Sequence, residues 1–153
     1  MVINELHKIP GNDQNTKLFK AFSQFEQVLV ELKRKELPDE IIVSINNDIE
    51  GINTFNGADK DFIKRIRKTQ SAIIKLIEKK LKIVPKNHYR NTLLAVGIAT
   101  GVAVGITIGS STGNMSLLAM GITIGMAIGM AAGTSKDKKA KDSGKQLDLE
   151  IKN

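Results

Sequence analysis

From position 91 to position 135 the chain carries no charged side chain, and within that stretch glycine returns at every fourth position: Gly97, Gly101, Gly105 and Gly109, then Gly121, Gly125, Gly129 and Gly133. This stretch constrains the fold more than anything else in the sequence. Residues 92–109 and 115–133 are each about 27–28 Å long as helices at ~1.5 Å per residue, against a bilayer hydrocarbon core of ~30 Å. Each is long enough to span once. Residues 110–114, Ser-Ser-Thr-Gly-Asn, are a polar connection too short for anything but antiparallel neighbours. The expectation is a two-span helical hairpin.

The pentapeptide Gly-Ile-Thr-Ile-Gly occupies 105–109 and again 121–125, so the two spans read as copies of one tetrapeptide repeat. Glycine every four residues lines one helix face with missing side chains. Two backbones can then approach closely in lipid, where exclusion of water no longer drives association. Between the glycines lie Ala99, Ala103 and Thr107 in one span and Thr123, Ala127 and Ala131 in the other. They sit about 200° around each helix and form a second small-residue face. Either the glycine rows only close the hairpin, or one face closes it and the other joins copies into a homo-oligomer. Small and large residues also alternate with period two through 97–109, which a β-hairpin would share. Two strands alone would leave unpaired edges in lipid at several kcal/mol per group, so helices are expected.

Charge sets the orientation. Lys79, Lys80, Lys82, Lys86 and Arg90 precede the first span and Lys136, Lys138, Lys139 and Lys141 follow the second, whereas the connection has no charge. Basic flanks stay on the cytoplasmic side, so both termini are expected there, in the cytoplasmic (inner) membrane. The same lysines and arginine are the candidate contacts to anionic headgroups, at ~1 kcal/mol per basic residue near the surface.

The two glycine-zippered runs resemble those of bacterial glycine-zipper membrane proteins, a loose class of small proteins with such hairpins. The resemblance covers about residues 91–135. It implies an architecture shared by envelope proteins, channel subunits and membrane-permeabilising toxins, and does not choose among them.

Before the hairpin the chain is a different polymer, with 17 Lys/Arg and 12 Asp/Glu in residues 1–90. Residues 1–15 contain the turn-forming Pro10 and Gly11 and no periodicity, and are expected to be a flexible arm. Leu18, Phe22, Phe25, Leu29 and Leu32 alternate steps of four and three, the signature of one helix face. Pro38 with Asp39 and Glu40 starts a second helix bearing Ile41, Ile45, Ile49 and Ile52. Asn56 and Gly57 end it, and a third follows from about Asp59, with Phe62, Ile66, Ile73, Ile77, Leu81 and Val84 before Pro85. Residues 16–90 are thus expected to be a cytoplasmic helical segment, an amphipathic three-helix bundle or coiled-coil-like unit, within an all-α chain. Its exposed surface is the place for a protein partner, over residues 16–84. Residues 136–153, rich in lysine, are expected to be a basic disordered tail.

Catalytic chemistry finds no foothold. There is no cysteine, and the two histidines, His7 and His88, lack metal-ligand spacing. Residues 109–113, Gly-Ser-Ser-Thr-Gly, have no following lysine and join two apolar spans, unlike a phosphate-binding loop. Asp39, Glu40, Asp59 and Asp61 lie at helix starts, where the helix dipole accounts for them. With no ionisable group inside the spans, a proton-coupled transporter is disfavoured. Aromatics are 4% of residues and no recognition motif accompanies the basic residues, so nucleic acid is not an expected partner. No enzyme and no cofactor is expected. Two functional classes remain: an anchor or scaffold that presents the helical segment, and a permeabilising effector in which Thr100, Thr107 and Thr123 would supply the wetter surface.

Overall fold

A computed structural model describes residues 1–7 and 17–151. Among these the chain is all-helical: α1 is Lys17–Lys33, α2 Asp39–Asn53, α3 Asp59–Leu81, α4 His88–Thr112 and α5 Ser116–Asp142. They divide into two compact units, Met1–Val84 with Leu147–Asn153, and Pro85–Gln146.

In the first unit α3 packs against both α1 and α2. The apolar stripes meet in one core, where Phe25, Leu32, Ile45, Ile49, Ile66, Ile73 and Ile77 are fully buried. Local features mark the start of α2 and the end of α3. Pro38 precedes α2, whose first turn holds Asp39 and Glu40, favourable beside the positive helix end. Phe55 then stacks on Phe62 at 5.3 Å between centroids, and Arg65 lies over the same Phe55 ring while donating from Nε to the Gly51 carbonyl at 2.9 Å. This clasp holds the corner between α2 and α3. α3 stops at Leu81, short of Val84, because Lys82 turns into the left-handed region at φ 60° and the Ile83 N–H donates back to the Ile77 carbonyl.

Two segments differ from the sequence expectation. The flexible arm was expected over residues 1–15, yet residues 1–7 lie docked on α2. The Asn46 side chain donates to the Val2 carbonyl and accepts the Asn4 N–H, and Asn53 does the same for Glu5 and His7. Ile3 is 4% exposed. The remainder of that arm, positions 8–15, lies outside the described residues.

The tail was expected to be disordered over 136–153, yet α5 runs on to Asp142. Lysine and alanine are good helix formers, and Lys139 and Lys141 oppose the negative end of the helix dipole. Gly144 at φ 68° ends the helix, with the Lys145 N–H donating to the Ala140 carbonyl. Leu147 is then fully buried in the first unit's core, with Leu149 and Ile151 packed against it. The Leu147 N–H reaches the Val84 carbonyl at 2.9 Å, and the Asp148 N–H reaches a Glu31 carboxylate oxygen at the same distance. Residues 152–153 lie outside the described residues.

Candidate functional site

The second unit is an antiparallel pair, α4 and α5, closed by three residues. Gly113 takes φ 68°, which a side chain would strain, and the Asn114 N–H returns to the Gly109 carbonyl at 2.9 Å. The Asn114 side chain accepts the Ser116 N–H at 3.1 Å and so starts α5. Ser110, Ser111 and Thr112, expected in the connection, are instead the last turn of α4. Ser111 and Thr112 donate their hydroxyls back to the carbonyls of Thr107 and Ile108, so both polar side chains are satisfied within the apolar helix.

Seven of the eight repeat glycines face the partner helix, and Gly109 faces the connection. A Cβ on Gly97 would strike the Gly125 carbonyl, one on Gly101 the Gly121 carbonyl, and the reverse substitutions meet the same walls. A Cβ on Gly105 would lie 2.8 Å from the Leu118 Cα, and one on Gly129 would strike the Leu93 carbonyl. One on Gly133 would meet the backbone of Tyr89 and Arg90; only Gly109, at the closed end, has neighbours no nearer than 3.2 Å. The obstacles along the middle of the hairpin are backbone atoms, which cannot swing aside. These glycines are therefore what lets the two helices lie this close, in a single antiparallel register running from Gly133 beside Tyr89 to Gly105 beside Leu118.

With the glycines turned inward, many of the large side chains point outward. Val96, Val104, Ile108, Met120, Ile124 and Ile128 are each about half exposed, Ile128 the most at 65%. The most apolar windows of α4 and α5 are only 17% and 11% buried by the rest of the chain. A core helix of a water-soluble fold hides its apolar residues; these two do not. Ala99, Ala103, Thr107, Thr123, Ala127 and Ala131 also lie exposed, so the second small-residue face is open. On one side of the hairpin the helices leave a groove of about 330 Å³, floored by Gly101, Gly105, Gly121 and Gly125 and walled by Val104, Ile108, Ile124 and Ile128.

The threonines do not form a polar stripe. Thr100, Thr107 and Thr123 each donate their hydroxyl to the carbonyl four residues earlier, at 2.9–3.0 Å. Each hydroxyl proton is thereby bonded within its own helix, and the oxygen keeps only its acceptor capacity.

The open end of the hairpin is held by a residue the sequence reading passed over. Asp137, 7% exposed on α5, accepts the Tyr89 N–H at 3.0 Å with one carboxylate oxygen and the Arg90 N–H at 2.9 Å with the other. Asn87, at the head of α4, makes no side-chain cap and sits in the left-handed region. Asp137 thus caps α4 from the neighbouring helix, placing a negative charge at its positive end. The available signal was a single aspartate inside a lysine run, one turn beyond Gly133. Lys136 lies 5.8 Å from the centre of the Tyr89 ring, itself edge-on to His88.

The basic residues fall in both units. Lys86 and Arg90 flank the start of α4, and Lys136, Lys138, Lys139 and Lys141 lie exposed on the last turns of α5 except where Lys136 meets Tyr89. These six share the open end of the hairpin. Lys79 and Lys80 close α3 and Lys82 follows it in the other unit, where Lys80 pairs with Glu40 at 3.4 Å. Among the described residues no cluster of three acidic or histidine side chains is placed to hold a metal.

Compared with protein-family models, curated proteins and solved structures, the chain has no match. Its class is therefore defined by architecture: an all-helical chain with two adjoining helices long and apolar enough to cross a membrane.

Proposed function

We propose that this chain is an integral membrane anchor of the bacterial glycine-zipper kind: its hairpin crosses the cytoplasmic membrane twice, self-associates, and displays the helical unit of residues 16–84 for interaction at the cytoplasmic face. The observation that carries the reading is the outward half-exposure of the hairpin's valine, isoleucine and methionine side chains, which lipid accommodates and water does not. Lys86, Arg90, Lys136, Lys138, Lys139 and Lys141 would meet anionic headgroups at the open end. The glycine rows are already consumed in closing the hairpin. Contact between copies falls to the two open small-residue faces, that of Ala103 on α4 and that of Ala127 on α5, where small residues allow close helix packing. Nothing in the reading requires catalysis.

A permeabilising pore would need a continuous polar stripe facing water, and the spans offer only scattered threonines whose hydroxyl protons are already bonded within their own helices. The anchor is the better account. Membrane potential after induced expression in a bacterial host, with residues 1–90 alone as control, tests it. Intact potential, with the protein resisting alkaline extraction from the membrane fraction, is the expected result; rapid depolarisation that needs residues 91–135 would replace the anchor by the pore. Ala103→Leu with Ala127→Leu is expected to abolish crosslinking between copies while leaving membrane insertion unchanged.

A further inference from the structure

Three acceptors on α2, the side-chain oxygens of Asp39, Asn46 and Asn53, receive the N–H groups of Met1, Asn4 and His7 at 3.0, 2.8 and 2.9 Å. The acceptors are seven residues apart and the donors three. Seven helical residues rise ~10.5 Å, and three extended residues cover ~10 Å. The two lattices therefore match, and the match repeats. Asn46 and Asn53 also donate to the Val2 and Glu5 carbonyls at 3.0 and 3.1 Å, so each amide closes a two-bond clamp on backbone alone. The clamps touch no side chain of the docked segment. Selectivity comes from the apolar steps: Ile3 is buried beside a pocket lined by Leu32, Leu37 and Ile42, Leu6 is half-buried, and Glu5 pairs with Lys33 at 3.7 Å.

We propose that α2 is a receptor for an extended chain of this pattern, and that its occupant in the clustered protein is the residue 1–7 segment of a neighbouring copy, exchanged for the cis segment seen here. The exchange rests on the self-association reading, which supplies the neighbour. Every contact made in cis can be made unchanged in trans, so exchange costs no interaction, as in other domain swaps. Nine residues, 8–16, join the segment to α1 and can cover at most about 30 Å, more than the ~20–24 Å of two helix diameters that separates neighbouring bundles. Copies held side by side thus compete with the tether on similar terms of effective concentration. The consequence is a second linkage, between soluble units, that hairpin clustering switches on.

The test uses the full chain in lipid vesicles, as an equal mixture of ¹⁴N- and ¹⁵N-labelled copies with photo-leucine at position 3 in place of Ile3. After illumination and digestion, peptides joining residues 1–7 to α1 or α2 are sorted by isotope. In parallel, Ser110→Cys copies, otherwise free of cysteine, report hairpin proximity by thiol crosslinking. Mixed-isotope peptides, lost on dilution into detergent and lost in Asn46→Ala with Asn53→Ala, are the expected outcome. Same-isotope peptides alone, with Ser110→Cys crosslinks present, would overturn exchange and leave self-association standing. Absence of both signals would remove self-association and exchange with it. Mixed peptides that survive Asn46→Ala with Asn53→Ala would show that the clamps are not the docking site.

Discussion

Single side chains settle several junctions that helical periodicity leaves open. Asp137 is one: its carboxylate accepts two N–H groups in the first turn of α4. Asp137→Ala should cost about 1–2 kcal/mol, the upper range for losing a cap. The cost should appear as a lowered midpoint for unfolding of the hairpin in denaturing detergent. Asp137→Asn, which keeps one acceptor, should fall between, and three equal midpoints would show the cap to be idle. Lys82 carries a Cβ into the left-handed region, so Lys82→Gly should stabilise the first unit by about 1 kcal/mol in urea titrations followed by circular dichroism. Burial raises the pKa of Asp48 above its ordinary 3.8. The folded state therefore keeps a proton that the unfolded chain has released, and stability contributed by that proton is lost as pH rises from 3.8 through the folded value. Asp48→Asn should thus be more stable than the parent at neutral pH, with the advantage shrinking toward acid and vanishing below 3.8. An advantage independent of pH would assign the effect to something other than that proton.

Helices were legible in proportion to how much of their reason lies inside them. The stripes Phe25–Leu29–Leu32, Ile45–Ile49–Ile52 and Ile66–Ile73–Ile77 are periodic over several turns, and all of these positions are buried. Glycines every fourth residue likewise pointed to close helix packing, and seven of the eight repeat glycines face the neighbouring helix. What escaped depends on partners far away in the chain. Residues 1–7 have no period of their own and are ordered by Asn46 and Asn53, about 45 positions on; the alternation Leu147, Leu149, Ile151 is too short to announce itself and is fixed by a core built from α1 to α3. Asp137 looked like one charge in a basic run. The packing of α4 on α5 makes its own prediction. Gly125→Leu would place a side chain against the Gly97 carbonyl and force the helices apart, whereas Ala127→Leu points outward. Spin labels at Asn91 and Thr134, both exposed near the open end, should show a longer and broader distance distribution in the first variant and an unchanged one in the second. Equal behaviour of the two would mean that the glycine row does not set the spacing.

At the scale of the whole chain, the decisive asymmetry is that charge is confined to sequence on either side of a 45-residue uncharged stretch, and that the stretch folds back on itself. A single span would separate the two basic flanks; a hairpin returns them to one side. The proposed cytoplasmic placement of both flanks then rests on the bias that keeps lysine-rich flanks of short loops on that side. The absence of cysteine makes this directly measurable. In intact cells, Ser110→Cys at the closed end of the hairpin should react with a membrane-impermeant maleimide. A cysteine placed at exposed Lys138 should react only after the membrane is opened. The opposite pattern would invert the protein, carrying the helical unit outside and with it every proposal about a cytoplasmic partner. Reaction at both sites before lysis would mean that residues 91–135 do not span at all, and that the apolar faces of α4 and α5 are covered by protein rather than lipid.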